Sequence, residues 1–134
     1  MIGIIAILAS VVIVALNPAR QFAQTRDTTR VAHVNTILSA IGQNMASNRG
    51  VWTCPSAGPI PAETTNMASV GGYDIADCLV PLYIAAMPFD QSTGSYTSTS
   101  SYNTGYSVMQ DQVTGRVVVN APGAEITIPI TTAQ

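Results

Sequence analysis

Few residues of this chain have the types and spacing that catalysis requires. Its 134 residues include one histidine, His33, which lies outside the apolar positions of its helix and is predicted to be a polar surface residue. The sequence has no nucleophile elbow, no phosphate-binding glycine loop and no zinc-protease motif. We therefore expect no catalytic residue, no cofactor and no enzymatic activity.

The two cysteines, Cys54 and Cys78, bound a stretch rich in proline, glycine and threonine. Two cysteines around such a loop, in a chain with an apolar N-terminus of the kind found in exported proteins, predict a disulfide. Two free buried thiols are the alternative. A metal site at the cysteines is disfavoured, because no further cysteine and no cluster of histidines supplies the remaining ligands.

The aspartates are the remaining residues that could bind a ligand. Asp74 and Asp77 lie beside Cys78, while Asp90 and Asp111 flank a segment rich in serine and threonine. Paired carboxylates bind Ca²⁺, but none of these aspartates has the spacing of a known calcium loop. Asp90 is retained as a weak calcium candidate, and no other metal site is predicted.

The charge pattern separates a basic helix from an acidic remainder. The net charge is −2 and 9% of residues are charged, which argues against a nucleic-acid partner bound through a general basic surface. Arg20, Arg26 and Arg30 are predicted to lie on a solvated helix face, where Asp27 can pair with Arg30 three residues later. Alternatively, the arginines contact acidic residues of neighbouring subunits.

Residues 1–16 form an apolar stem without any charged side chain. A helix that is apolar on every side must be buried on every side. The large residues predicted to form this buried core are Ile4, Ile5, Ile7, Leu8, Val11, Val12, Ile13 and Leu16. A cleaved signal peptide is disfavoured because the stem has no basic n-region. A membrane anchor would be short, since sixteen helical residues span about 24 Å against about 30 Å of hydrocarbon. Packing against copies of the same helix is the favoured interpretation, with small residues allowing close approach.

Asn17 and Pro18 follow the stem directly. Proline within a helix bends or locally opens it. Alternatively, Pro18 begins a second helix with Asn17 as its N-cap. Both interpretations divide the chain into a stem, residues 1–18, and a globular head, residues 19–134.

The head is predicted to be an α+β domain, in which the second half of the long helix packs on a small antiparallel sheet of three or four strands. The apolar stripe of that helix comprises Val31, Val34, Ile37, Leu38, Ile41 and Met45, at helical spacing. Asn48, Arg49 and Gly50 are predicted to end the helix.

The rest of the head is predicted to contain a loop, a polar segment and three strands. Residues 51–78 are expected to form the disulfide loop, with Trp52 as a core or loop anchor. Residues 92–107, rich in serine and threonine, are expected to form a partly packed surface. The predicted strands are residues 106–110, 116–120 and 125–130, which are rich in β-branched side chains.

The order of residues in the stem resembles the N-terminal helix of type IV pilins and pseudopilins. The resemblance rests on Ile4-Ile5-Ala6-Ile7-Leu8-Ala9, Val11-Val12-Ile13 and Asn17-Pro18-Ala19-Arg20. In addition, Pro88-Phe89-Asp90 is similar to the segment before the sheet in many pilins and in type II secretion pseudopilins. Some of those pseudopilins bind calcium in this neighbourhood, which is why Asp90 is the calcium candidate.

The resemblance implies a structural subunit, a major pilin that polymerises into an extracellular type IV pilus. Its stems would form the filament core and its heads the surface. The implied partners are identical subunits, the cytoplasmic membrane that holds the stem before assembly, and the inner-membrane assembly machinery. The implied roles include adhesion and motility. The alternative is a pseudopilin of a type II secretion or DNA-uptake machine, which could bind calcium.

One feature of the pilin family is missing from this sequence. Mature pilins normally begin with an N-methylated aromatic residue and carry a glutamate at the fifth position. Aligned on residues 4–9, this chain starts about eight residues later and has neither. Either the natural chain has a longer N-terminus, or its filament forms without that glutamate, because no acidic residue precedes Asp27.

Overall fold

The computed structural model describes residues 2–125 and 130–133, with the side chains of residues 2–9 and 17–125. Two helices, α1 (Ile2–Leu16) and α2 (Pro18–Ser47), make up the N-terminal third. The side chains of Val11, Val12, Ile13 and Leu16, which belong to the predicted stem core, lie outside the described residues. Within the described residues, no helix is both long enough and apolar enough to cross a membrane.

The junction between α1 and α2 is a true break in the helix. Asn17 has a left-handed backbone with a φ of 47° and makes no side-chain capping bond, while Pro18 occupies the first turn of α2. Proline disfavours the right-handed helical conformation in the residue before it, and asparagine tolerates the left-handed one. The carbonyl of Asn17 accepts hydrogen bonds from the N–H groups of Arg20 and Gln21, at 3.1 and 3.2 Å. Pro18 therefore begins a second helix.

The buried face of α2 is longer than the apolar stripe predicts. The buried residues recur at spacings of three and four, and comprise Asp27, Arg30, Val34, Ile37, Leu38, Ala40, Ile41 and Asn44. Val31, predicted to be part of the stripe, is 37% exposed, so that prediction is wrong for this residue. Polar residues extend the face at both ends. As predicted, the helix ends just before Asn48, and Gly50 donates to the carbonyl of Met45 at 2.7 Å.

The predicted α+β layout is confirmed, with α2 packed against an antiparallel sheet. Strands β1 (Thr65–Ala68), β3 (Ser101–Gln110), β4 (Val117–Ala121) and β5 (Ile130–Ala133) lie in the order β1-β3-β4-β5. A further strand, β2 (Ser95–Ser98), pairs with the first residues of β3. The core between helix and sheet includes the fully buried side chains of Ile37, Ile41, Val108, Val119 and Tyr106.

Two sequence predictions about the strands need correction. Strand β3 begins at Ser101, five residues earlier than predicted, so the segment rich in serine and threonine contains β2 and most of β3. Strand β1 and the start of the short helix α3 (Ala76–Leu79) lie inside the predicted loop of residues 51–78. The last strand begins at Ile130. Residues 126–129, most of the predicted strand, lie outside the described part.

The predicted disulfide between Cys54 and Cys78 is present, with the two Cα atoms 5.4 Å apart. As predicted, Trp52 anchors the loop that the disulfide closes. Its indole is 9% exposed and donates to the hydroxyl of Tyr73 at 2.9 Å. The buried side chain of Asn44 accepts a hydrogen bond from the N–H of Thr53 and donates to its carbonyl, at 3.1 and 3.0 Å. The loop is therefore bound to α2 as well as closed on itself.

Replacing both Cys54 and Cys78 with alanine should destabilise the head by about 3 kcal/mol, because the open loop adds entropy to the unfolded chain. Trp52, the only tryptophan, makes fluorescence during urea unfolding a measurement specific to the head. The exposed stem is not part of that loop, so self-association through the stem should persist. Loss of association under mild reductant, with Trp52 still in its native environment, would contradict this separation of roles.

Candidate assembly interface and buried ion cluster

The described side chains of the predicted stem core are exposed in the isolated chain. Ile4 and Ile5 are each 63% exposed, Ile7 is 67% and Leu8 is 60%. Ile2, which precedes them, is 86% exposed. Residues 2–16 carry no charge, and the head does not cover the described side chains of this stem. An uninterrupted apolar surface of this kind marks a site of interaction with protein or membrane.

The first half of α2 carries a buried cluster of ions around Arg30. The guanidinium is buried, and so are the carboxylates of Asp27 and Asp90. Arg30 Nε donates to Asp90 Oδ2 at 2.7 Å, and Nη2 donates to Asp90 Oδ1 at 3.1 Å, so the ion pair is bidentate. Arg30 Nη1 donates to Asp27 Oδ1 at 2.8 Å. Because the partner residue Asp90 follows Arg30 by 60 positions, the cluster binds α2 to the segment just before β2.

Glu125 connects the same cluster to the C-terminal segment. Its carboxylate accepts from Arg30 Nη1 at 3.1 Å and from Arg26 Nε at 2.6 Å. Its N–H donates to Asp27 Oδ1 at 2.9 Å. Gly123 lies so close that an added Cβ would be 2.6 Å from Asp90 Oδ2. The turn after β4 therefore covers the ion pair, and the close approach requires a residue without a side chain.

These contacts correct the prediction that Arg26 and Arg30 lie on a solvated helix face or contact neighbouring subunits. Arg30 is 2% exposed and Asp27 is 3% exposed, and both arginines pair with acids of their own chain. A signal was present in the sequence. Asp27 and Arg30 precede Val34 at the spacing of three and four that the apolar stripe follows, so they lie on the same helix face.

The carboxylate of Asp90, the calcium candidate, is hydrogen-bonded to Arg30 and Ser92. Arg30 donates one bond to each oxygen of Asp90, and Asp90 Oδ1 also accepts from the N–H of Ser92 at 2.9 Å and from its hydroxyl at 2.8 Å. A guanidinium thus occupies the position that a cation would need. In the described part of the chain, no three residues of the types His, Cys, Asp and Glu are grouped closely enough to hold a metal ion.

His33 is half-buried rather than a free surface residue, which corrects the prediction. Its Nδ1 lies 2.8 Å from the hydroxyl oxygen of Tyr106, and the two rings meet edge to face with centroids 5.8 Å apart. Burial lowers the pKa of His33, and the nearby charge of Asp90 offsets this only in part. The imidazole therefore favours the neutral state and acts as a packing and hydrogen-bonding group.

The cluster and His33 together predict a loss of stability on acidification. Burial raises the pKa of Asp90, but hydrogen bonds from Arg30 and Ser92 outweigh burial and lower this pKa from 3.8 to about 2. A carboxyl with a lowered folded-state pKa stabilises the fold above its unfolded pKa and loses that contribution as the pH falls through the folded one. Asp90 should therefore contribute roughly 2 kcal/mol that disappears between about pH 4 and pH 2.

His33 contributes with the same sign at higher pH, since its folded-state pKa lies below 6.5 and its protonation favours the unfolded chain. Urea unfolding followed by Trp52 fluorescence should give a free energy of unfolding that falls from pH 7 to pH 5 and again below pH 4. His33→Gln should remove the first decrease and leave the second. An unfolding free energy that is constant from pH 7 to pH 3 would contradict both contributions.

The structure thus brings together Arg26, Asp27, Arg30, Asp90 and Glu125, and places Cys54 and Cys78 in a disulfide at the other end of α2. The described stem side chains, in contrast, contact no core. This arrangement can stabilise a head and present an apolar helix to a partner. Comparison of the chain with models of protein families, with curated proteins and with solved structures finds no match.

Proposed function

We propose that this chain is the structural subunit of an extracellular filament of the type IV pilus kind. In that filament the stems pack into the core and the heads form the surface. The observation that carries the proposal is the uncharged helix α1, in which the described side chains Ile2, Ile4, Ile5, Ile7 and Leu8 are at least 60% exposed in the isolated chain. The order of residues in this stem, which resembles that of pilins, supports the same conclusion.

The energetics of the stem favour association. Burying one large aliphatic side chain contributes about 1.5–3 kcal/mol. Exposed side chains of this size, repeated along one helix, therefore supply a driving force large enough to offset the entropy that subunits lose on association. Helices with apolar residues on every side can be covered completely only by several neighbours, which favours a bundle of many copies over a dimer.

The head, by contrast, has a core of its own. Its core includes Val34, Ile37, Ile41, Val108 and Val119, each at most 1% exposed. Within the part of the chain that the structure describes, every buried side-chain nitrogen or oxygen has a hydrogen-bond partner. A closed head joined to an uncovered stem at Asn17 divides the molecule into a surface module and a polymerising module.

The proposed partners are identical copies of the chain in the filament, and before assembly the cytoplasmic membrane and the inner-membrane assembly machinery. The proposed location is the cell surface. A pseudopilin of a secretion or DNA-uptake machine would present the same stem. Its calcium-binding form gains no support from Asp90, whose oxygens already accept bonds from Arg30 and Ser92.

Electron microscopy of the full chain after removal of detergent tests the proposal. We expect thin helical fibres, with density for packed helices at the axis and heads outside. Cross-sections of a cryo-EM map should show α1 surrounded by other copies of α1. Discrete monomers that stay soluble without detergent, with the stem in water, would overturn the proposal.

A further inference from the structure

Arg20 is a helix arginine that the buried cluster does not use. It is exposed in the first turn of α2, and among the described residues its guanidinium has no hydrogen-bond or ion-pair partner. A cation in the first turn of a helix opposes the helix dipole, whose N-terminal end is positive. Two residues further on, Phe22 is 65% exposed. The start of α2 therefore presents a positive charge and an aromatic ring, neither of which stabilises its own fold.

The other end of α2 carries complementary features. Asp77 is exposed and, among the described residues, has no partner for its carboxylate. It lines an open groove of about 410 Å³ together with Leu82, which is 81% exposed, and Tyr83. Asn44 and Asn48, at the end of α2, line the same groove. This groove thus offers a negative charge beside exposed apolar surface.

The two features cannot meet within one subunit. Arg20 and Asn44 lie on the same continuous helix, and 24 residues of helix separate them by about 36 Å. A contact between unlike patches at the two ends of a molecule is heterologous, so it does not close on itself as a symmetric dimer does. Repetition of this contact adds subunits in one direction, as a filament requires.

We propose that Arg20 and Phe22 of one subunit bind the groove of Asp77, Leu82 and Tyr83 on a second copy. The inference rests on the filament proposed above and names a contact between its heads and helices. The Arg20 guanidinium pairs with the Asp77 carboxylate, and Phe22 covers Leu82. Two other charged residues are weaker candidates for this contact. Glu63 is also exposed, but it does not line the groove. Arg116 already lies near the charge of Asp111.

Charge reversal tests the ion pair. Arg20→Asp and Asp77→Arg, made separately, should each raise the protein concentration needed for fibre formation about fivefold or more, because each places like charges together. The double variant Arg20→Asp/Asp77→Arg should return that concentration to within about twofold of the wild type. Arg116→Asp and Glu63→Arg are matched controls with the same change of charge, and each should change it by less than about twofold. Trp52 fluorescence verifies that every variant retains a folded head.

Cross-linking tests the geometry independently. Subunits with Phe22→Cys and subunits with Leu82→Cys should form a disulfide-linked dimer when the two are assembled together and treated with a mild oxidant, which takes up the two electrons and two protons of the thiols, and neither should do so alone. Three results would overturn the contact. Fibres could form without that dimer, the single charge reversals could assemble at wild-type concentrations, or the control variants could raise the concentration needed for fibres as much as the single reversals do. The same would hold if the reversals left assembly unchanged and abolished binding of a different protein. If in any of these cases Leu8→Asp still prevents fibres, the filament proposal stands without this contact.

Discussion

Replacing Leu8 with aspartate should prevent fibre formation completely. Leu8 is 60% exposed in the isolated chain, and the filament would enclose it among neighbouring stems. An unpaired carboxylate in an apolar bundle costs several kcal/mol. That cost recurs at every subunit, so assembly fails at any accessible concentration. Sedimentation after removal of detergent should show fibres for the wild type and none for the variant.

Val113→Asp is the matched control for this experiment. Val113 is 94% exposed on the connection between β3 and β4. Replacing this aliphatic residue with aspartate should therefore leave both folding and assembly intact. The Leu8→Asp head should also unfold like the wild type, because Leu8 contributes nothing to the head core. Normal fibres from Leu8→Asp would show that the stem is not buried in the filament.

Replacing Arg30 with methionine should produce the largest loss of head stability of any single substitution in the ion cluster. The change leaves the carboxylates of Asp27 and Asp90 buried, at 3% and 1% exposure, without the cation that compensates them. Removing one partner of a buried ion pair costs about 3–5 kcal/mol, a large part of the stability of a small domain. Urea unfolding followed by Trp52 fluorescence measures this loss directly.

Arg26→Met is the matched control, because it removes an arginine from the same cluster at the solvent-exposed side. The side chains of Arg26 and Glu125 are 37% and 36% exposed, so water screens their interaction. We expect a much smaller change from this variant. Equal losses for the two variants would contradict the idea that burial of Arg30 decides its contribution.

The pH dependence of Arg30→Met provides a second criterion. Hydrogen bonds from Arg30 hold the pKa of Asp90 low in the wild type, despite its burial. Without them, only the two hydrogen bonds from Ser92 oppose burial, so the pKa of Asp90 should rise above its wild-type value. The variant then takes up this proton at a higher pH than the wild type does, so its deficit should shrink as the pH falls from 7 to about 3. A deficit that is constant over this range would indicate lost packing instead of an uncompensated charge.

Both experiments follow from the same division of the molecule. The head has its own core, a disulfide and a buried ion cluster, while α1 is joined to it by a single left-handed residue, Asn17. Substitutions in the stem should therefore change assembly and not head stability, and substitutions in the cluster should do the reverse.

Local rules account for the features that could be predicted from the sequence. A charge-free run predicts the apolar stem, and the steric effect of Pro18 on the preceding residue divides the helix at Asn17. The spacing of apolar residues predicts that α2 packs on a sheet, and the two cysteines predict the disulfide that is present. In each case the cause lies within a few neighbouring residues, or in two cysteines that bound one loop.

Features that depend on contacts between distant residues could not be predicted from the sequence. Asp90 follows Arg30 by 60 residues, and nothing near Asp90 in the sequence indicates an arginine partner instead of a calcium ion. His33 meets Tyr106 across 73 residues, and β1 forms inside the disulfide loop because β3 offers it an edge. Burial of these polar groups depends on which segments pack together. Hydrogen-bond geometry across that packing then sets which groups pair, and local patterns predict only the pairs that are close in sequence, such as Asp27 and Arg30.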